Sequence, residues 1–429
     1  MRDLSTLVAR NFRNISYKLE YVNALLRVKD LDMAAAQLED AVRVEPLNRD
    51  CRLRLMDVYM DQKKWGLFDK VVTFAELHPR MQESIFFRQH AYELSAQARY
   101  TEALDKIREA IAMDGHNPSY ARDFLIILLQ AKDDEGVIKE TDRLIEAGHT
   151  EWWVYQLRGV ARYAEGKQVE AIEQIDKALE AADRDKDPEA YQVALNSLSE
   201  ISVDEALKRI AGRAASNDRW RMQSASLHMQ KLQWDAALKD LGPTLASRDK
   251  LLRSDRMSAV RFAAECYQAS GRPKEAKAFY LEWLKEAPND PAALNNIAYL
   301  LAEDMNDPQG ASEFSKKAYD LGRKFNNADP MILDTHGWVQ TLCGGDDADK
   351  GLTLLSNVVE TNPDFLEARY HLGMALMKKK RASEALLQFT AASDLIKASE
   401  QKKTPVKPEL KARVLDALDK LKQTAATGT

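Results

Sequence analysis

Residues 257–290 read MSAVRFAAECYQASGRPKEAKAFYLEWLKEAPND. Ala263-Ala264 is followed by Tyr267, then Gly271-Arg272, then Ala276, Tyr280, Trp283 and Pro288. The order returns at Pro291, where Ile297-Ala298 and Leu301 stand at matching offsets. It returns again at Leu366, with Leu372-Gly373, Leu376, Ala385, Phe389 and Ala392. Compatible starts fall at 15, 49, 84, 118, 152, 187, 218, 257, 291, about 330 and 366, most intervals being 34 or 35. Self-similarity at a fixed period of this size is the mark of a repeat architecture.

At the eighth repeat position a small residue recurs: Ala91, Gly159, Ala194, Ala225, Ala264, Ala298, Gly337 and Gly373. At the twentieth the series is Ala34, Ala103, Ala171, Ala206, Ala237, Ala276, Ala311 and Ala385, with one extra turn residue before Ala311. This register resembles the tetratricopeptide repeat family, whose unit is two antiparallel helices and a short turn, and the resemblance covers nearly the whole chain. It implies an all-α fold, a right-handed superhelix of about eleven antiparallel helix pairs. The helices of one unit would cross closely, where only Gly or Ala lets backbones approach. Larger residues such as Leu38, Ile107, Ile175, Tyr280 and Phe389 would fill the space against the next unit. Pro46, Pro79, Pro288 and Pro363 would stop second helices near their ends.

Two units depart from the pattern. Those starting at 49 and 118 carry Met56 and Leu125 at the small position, with Phe68 and Val137 later. The expected layout is an N-terminal helix or arm over 1–14, five units over 15–186, and two irregular units over 187–256 with a bend. Four units over 257–399, a mobile linker over 400–407, a capping helix over 408–423 and a disordered tail over 424–429 complete it. The capping helix is read from Leu410, Val414, Leu415, Leu418 and Leu421 at helical spacing; a terminal unit needs its face covered. Polar turn insertions are expected at 303–311 and 343–351.

The chain has 429 residues, more than one compact core supports. Its Gly 17 and Pro 13 are about 4% and 3%, against average usage of roughly 7% and 5%. That scarcity argues for long helices with few elaborate loops. Hydrophobic content of 45% and charged content of 30% exclude a mainly disordered chain. The net charge of −5 is too balanced for a dedicated nucleic-acid binder, although residues 378–413 alone sum to +6. A nucleic-acid reading would require strongly salt-dependent binding. Cys51, Cys266 and Cys343 are odd in number and far apart, which points to a reducing compartment. The N-terminus has no signal-peptide pattern and no stretch approaches a membrane span, so a cytoplasmic location without membrane insertion is expected.

Catalytic constellations are missing from the sequence: no G-x-G-x-x-G, P-loop, H-E-x-x-H, C-x-x-C or G-x-S-x-G occurs. The seven histidines are scattered among units, and each reads as a surface or packing residue. Asp346, Asp347 and Asp349 beside Gly344-Gly345 lack the Glu a calcium loop needs. Lys378-Lys379-Lys380-Arg381 sits where the last unit turns and reads as solvated charge. No enzyme activity, metal or cofactor is expected.

The resemblance places a binding groove on the first helices, at the second, fifth, ninth and twelfth repeat positions. On this chain those positions give Leu19, Asn23, Arg88, Tyr92, Trp153, Gln156, Tyr163, Met222 and Met229. In the late units they give Asn295, Tyr299, Asp334, Trp338, Tyr370 and Met374. Aromatic and methionine side chains beside an amide suit an extended peptide or a helix. Trp338 and Tyr299 could equally pack as core. A chaperone-tail role is disfavoured, because Leu19 stands where a lysine would be needed. The implied function is a non-enzymatic scaffold or adaptor for protein or peptide partners, of the type found in bacteria, with self-association left open. The alternative is an accessory or regulatory region of an enzyme or of a polysaccharide or surface-protein export system.

Overall fold

The computed structural model describes residues 2–324, 329–402, 404 and 406–427; of 2, 3, 324 and 424–427 only the backbone is described. Among the described residues there are twenty-four α-helices and no strand. None of these helices is long and apolar enough to cross a membrane. The chain divides into two compact units, Met1–Ala206 and Leu207–Thr429.

The first unit opens with α1 (Arg2–Arg10), α2 (Ile15–Arg27), α3 (Leu31–Val44), α4 (Arg49–Asp61) and α5 (Trp65–Leu77). It continues through α6 (Ser84–Ala96), α7 (Tyr100–Met113), α8 (Pro118–Gln130) and α9 (Asp134–Glu146). Then come α10 (Trp152–Ala164), α11 (Gln168–Arg184) and α12 (Pro188–Ile201). The division falls within α13 (Val203–Ala214).

The second unit holds α14 (Asp218–Gln230), α15 (Trp234–Ala246), α16 (Arg253–Ala269), α17 (Pro273–Glu286) and α18 (Pro291–Tyr299). It ends with α19 (Pro308–Lys324), α20 (Pro330–Cys343), α21 (Gly345–Thr361), α22 (Leu366–Lys378), α23 (Ala382–Gln401) and α24 (Pro408–Thr427).

From α2 to α23 the helices alternate as first and second members of pairs. The first members begin within a few residues of the starts read from the repeat, at 188 and 253 instead of 187 and 257. Their N-termini are written locally. Asn14, Asn48, Asn117, Asp187, Asn217, Asp290 and Asp329 accept hydrogen bonds from backbone N–H groups of the first turn. Proline fills the first helical position at Pro118, Pro188, Pro291 and Pro330, where no N–H is required.

The small residues sit at the crossings. Ala34, Ala91, Ala103, Ala171, Ala225, Ala237, Ala264, Ala276, Ala298 and Ala385 have no exposed surface. A Cβ added to Gly159 would lie 2.7 Å from Ile175 Cδ1, and one on Gly373 would lie 2.6 Å from Phe389 Cε1. Met56, Leu125, Phe68 and Val137 are fully buried too, so the two departing units fill the crossing with larger side chains. The core therefore runs as a series of adjoining clusters within each unit.

A second register appears in the turns. Lys29, Lys63, Ala98, Lys132, Gly166, Leu232, Gly271 and Lys380 all have φ between 54° and 79°. Each follows a first helix, and the next residue's N–H bonds back to a carbonyl five residues earlier. Examples are Asp30 N to Leu25 O at 3.0 Å and Lys64 N to Tyr59 O at 2.8 Å. This is the Schellman closure, and it satisfies carbonyls the helix end leaves open. Six lysine, alanine or leucine residues beside two glycines adopt it here, so few glycines are spent on turns.

Some boundaries differ from the sequence reading. Residues 345–351 are not a polar turn but the first turns of α21, with Asp346 and Asp347 at its positive end. The expected turn at 303–311 begins inside a π-helical turn, Leu300–Asp304, that continues α18. Helix α23 reaches Gln401 and α24 reaches Thr427, both past the bounds read from the sequence. The end of the expected tail, 428–429, lies outside the described residues, as do 403 and 405 of the linker.

Candidate interaction surface

Successive first helices pack side by side in each unit. In the first, α4 meets α6, α6 meets α8, α8 meets α10 and α10 meets α12. In the second, α14 meets α16, α18 meets α20 and α20 meets α22. One face of each unit is therefore built from first helices alone, and side chains about one repeat apart meet on it.

On the first unit these meetings are polar. Arg54 Nη1 donates to Asn23 Oδ1 at 2.7 Å, Gln89 to Asp57 at 3.3 Å, Arg88 to Asp123 at 2.6 Å and Gln156 to Ser197 at 2.9 Å. Tyr92 is half-buried over Arg88, and burial together with its bond to Asp123 pushes its hydroxyl up to about 12. Trp153 is buried in the core between α8, α9 and α10. Tyr163 is 44% exposed. Arg122 lies over the Trp152 ring at 5.0 Å and makes no ion pair among the described residues; its buried Nε has no hydrogen-bond partner. Leu19 packs into the first core cluster, and Met222 and Met229 into the cluster of α14–α16.

On the second unit the late positions are interlocked instead. Asn295, Asp334, Trp338 and Tyr370 are buried, and Tyr299 and Met374 are half-buried. His371, 1% exposed, is their centre. Its Nδ1 lies 2.8 Å from Asp334 Oδ2, Trp338 stacks on its ring at 5.0 Å, and Tyr299 and Tyr370 tilt against it at 6.2 and 5.6 Å. Burial disfavours the imidazolium, but the Asp334 carboxylate and its hydrogen bond outweigh that and raise the His371 pKa. Trp338 Nε1 donates to Glu303, and Glu303 also takes the guanidinium of Arg413 from α24. Leu410, Val414, Leu418 and Leu421 of α24 share one core with Trp338, Tyr370 and Phe389.

Trp338, Tyr370 and Asp334 are thus core and network residues in this conformation, not an open docking surface, while Asn295 is buried with its Oδ1 unpartnered. The sequence reading missed Glu303, His371 and Arg413, which join Asp334, Trp338 and Tyr370 into that network. The only signal for Arg413 was its place among the apolar positions of α24. That spacing gives the helix face but not its destination.

The tetratricopeptide repeat family model matches residues 222–291 and 339–398, both within the second unit. No curated protein matches the sequence. Solved structures with similar folds include yeast Tom70, 14% identical, covering 96% of each chain with a TM-score of 0.41. A tetratricopeptide repeat protein from Parabacteroides merdae is 12% identical, covers 69% of this chain and 99% of its own, and has a TM-score of 0.39. YrrB, described as having an unusual peptide-binding site, is 15% identical over 46% of this chain and 97% of its own, at 0.33. Paired helices, small residues at most of the crossings and the family match identify tetratricopeptide repeats over residues 222–291 and 339–398.

Proposed function

We propose that this protein is a non-catalytic adaptor that holds an extended segment of a partner protein against the first-helix face of its first unit. The observation that carries the reading is the row of side chains Arg88, Arg122, Gln156 and Tyr163 along that face. Arg122 is the decisive member: a guanidinium stacked on an indole, with no carboxylate of its own. A planar cation in that state suits a partner carboxylate, bound bidentately. Tyr163 adds an exposed aromatic anchor. The favoured partner is an acidic peptide in extended form.

Selection of random displayed peptides against the full chain tests this. Acidic peptides are expected to be enriched, and Arg122→Ala should weaken the selected binders about tenfold, or 1.4 kcal/mol. Affinities unchanged by Arg122→Ala and Tyr163→Ala would remove the assignment.

A second reading places the site on the late units, at Asn295, Tyr299, Asp334, Trp338, Tyr370 and Met374, with α24 displaced. Asn295 Oδ1 supports it, being a buried acceptor without a donor, suited to a peptide N–H. Peptide binding gained on Arg413→Ala would favour this reading over the first.

A further inference from the structure

One polar cluster of the first unit has no part in that face. Asp69 on α5 and His90 and Glu93 on α6 bring one ligand atom each to within 4.8 Å of one another. Three observations distinguish it from an ordinary group of surface acids. Glu93 has no exposed surface, and its Oε2 has no hydrogen-bond partner; its other oxygen takes the Gln97 amide. A carboxylate buried in that way carries the full cost of its missing donor. Next, His90 Nδ1 lies 2.8 Å from Glu76 Oε1, and Glu76 is itself held by Lys106 Nζ at 2.9 Å. That contact leaves Nε2 as the ring nitrogen free to coordinate. A carboxylate behind an imidazole is the arrangement that fixes the tautomer and orientation of metal-ligating histidines. Finally, His90 and Glu93 are three apart on one helix and so project from one face, while Asp69 supplies a ligand from the neighbouring helix.

We propose that Asp69, His90 and Glu93 form a binding site for a divalent first-row transition metal, with Glu76 as the residue that orients His90. One imidazole and two carboxylates suit Zn²⁺ or Mn²⁺. Ligand bonds of about 2.0–2.2 Å to a central ion are within reach of side-chain adjustment from the present spacing. Water would complete the shell, as in sites with three protein ligands. Asp69 and His90 are only half-buried, so solvent reaches two of the three ligand residues. The ion would join the second helix of one pair to the first helix of the next.

The charges around Glu93 agree. Burial and the neighbouring Asp69 push its carboxyl up to about 7, with Glu102 adding to the effect and His90 and Arg99 opposing it. Glu76 is held below its usual range because the bonds from His90 and Lys106 overcome its burial. A metal ion would displace the proton that otherwise relieves Glu93, so binding would release protons.

Isothermal titration of the EDTA-treated full chain with ZnCl₂ tests the site. One equivalent should bind, with a heat that varies with the ionisation enthalpy of the buffer. Asp69→Asn and Glu93→Gln should each weaken binding at least tenfold, and Glu76→Gln about 10–100-fold. His336→Gln, in the second unit, should leave it unchanged. Glu93→Gln removes a buried charge and should keep the helical circular dichroism; were it to misfold, the half-buried Asp69→Asn decides the matter. Absence of stoichiometric binding, or an affinity equal in Asp69→Asn and the parent, overturns the proposal. In that case the cluster is a proton-sharing carboxyl pair only, and Glu93→Gln should flatten only the earlier part of the pH dependence described below.

Discussion

Two of the histidine–carboxylate clusters among the described residues, one in each unit, are finished differently. In the second unit His371 meets Asp334, and Glu303 is claimed by both Trp338 and Arg413. In the first, His90 meets Glu76, but Asp69 and Glu93 face each other with a carboxylate oxygen left over. A buried charge is tolerated when every partner is in place, and removing one partner is then expensive. A cluster with like charges unsatisfied is the opposite case, since losing a member relieves it. Completeness decides what each cluster can do: the closed one holds α24 in place, and the open one retains capacity for a ligand.

The largest expected effect tests the closed cluster. Asp334→Ala strands His371 in a buried site and should cost about 3–5 kcal/mol in urea unfolding. Trp338→Ala belongs with it, at about 3–5 kcal/mol for a buried aromatic. It is therefore a stability variant here, and altered partner capture would not by itself report on docking. The open cluster should respond in the reverse direction: Asp69→Asn is expected to be neutral or to stabilise the metal-free chain by about 1 kcal/mol at pH 7. Destabilisation comparable to Asp334→Ala would erase the distinction.

The pH dependence sharpens it. Glu93 is raised from 4.5 to about 7 on folding, so its contribution to stability is present below 4.5 and is lost as pH rises through 7. His371 is raised from 6.5, so its contribution is complete below 6.5 and is lost as pH climbs through the raised value. Unfolding free energies measured from pH 4 to 9 should therefore fall on the alkaline side. Glu93→Gln should flatten the earlier part of that fall and Asp334→Ala the later part. The smallest effect lies outside both clusters. Lys63→Gly should raise stability by about 0.5 kcal/mol by relieving a left-handed backbone, measured as a small increase in Tm.

The repeat was legible because crossing helices impose a physical demand at fixed positions. Gly159 and Gly373 could not be alanine without striking Ile175 or Phe389, and the period follows from that. The sites were less legible. The positions 295, 299, 334, 338, 370 and 374 share one region of the second unit, but a periodic register says nothing about where a helix outside the period docks. Helix α24 brings Arg413 to Glu303 across 110 residues, and no local spacing encodes that meeting. The Asp69 cluster escaped for a related reason. His90 and Glu93 are a common helical spacing, and only the packing of α5 on α6 adds the third ligand and buries the second.

The turns carry one more consequence. Their closure is made by backbone hydrogen bonds, so the side chain at the left-handed position is free to be lysine, alanine, leucine or glycine. Where it is lysine, an exposed cleavable bond sits between two resistant helices: Lys29 and Lys63 are 34 residues apart, and Lys132 lies two units further on. To a lysine-directed protease the chain is a ruler graduated in whole repeats.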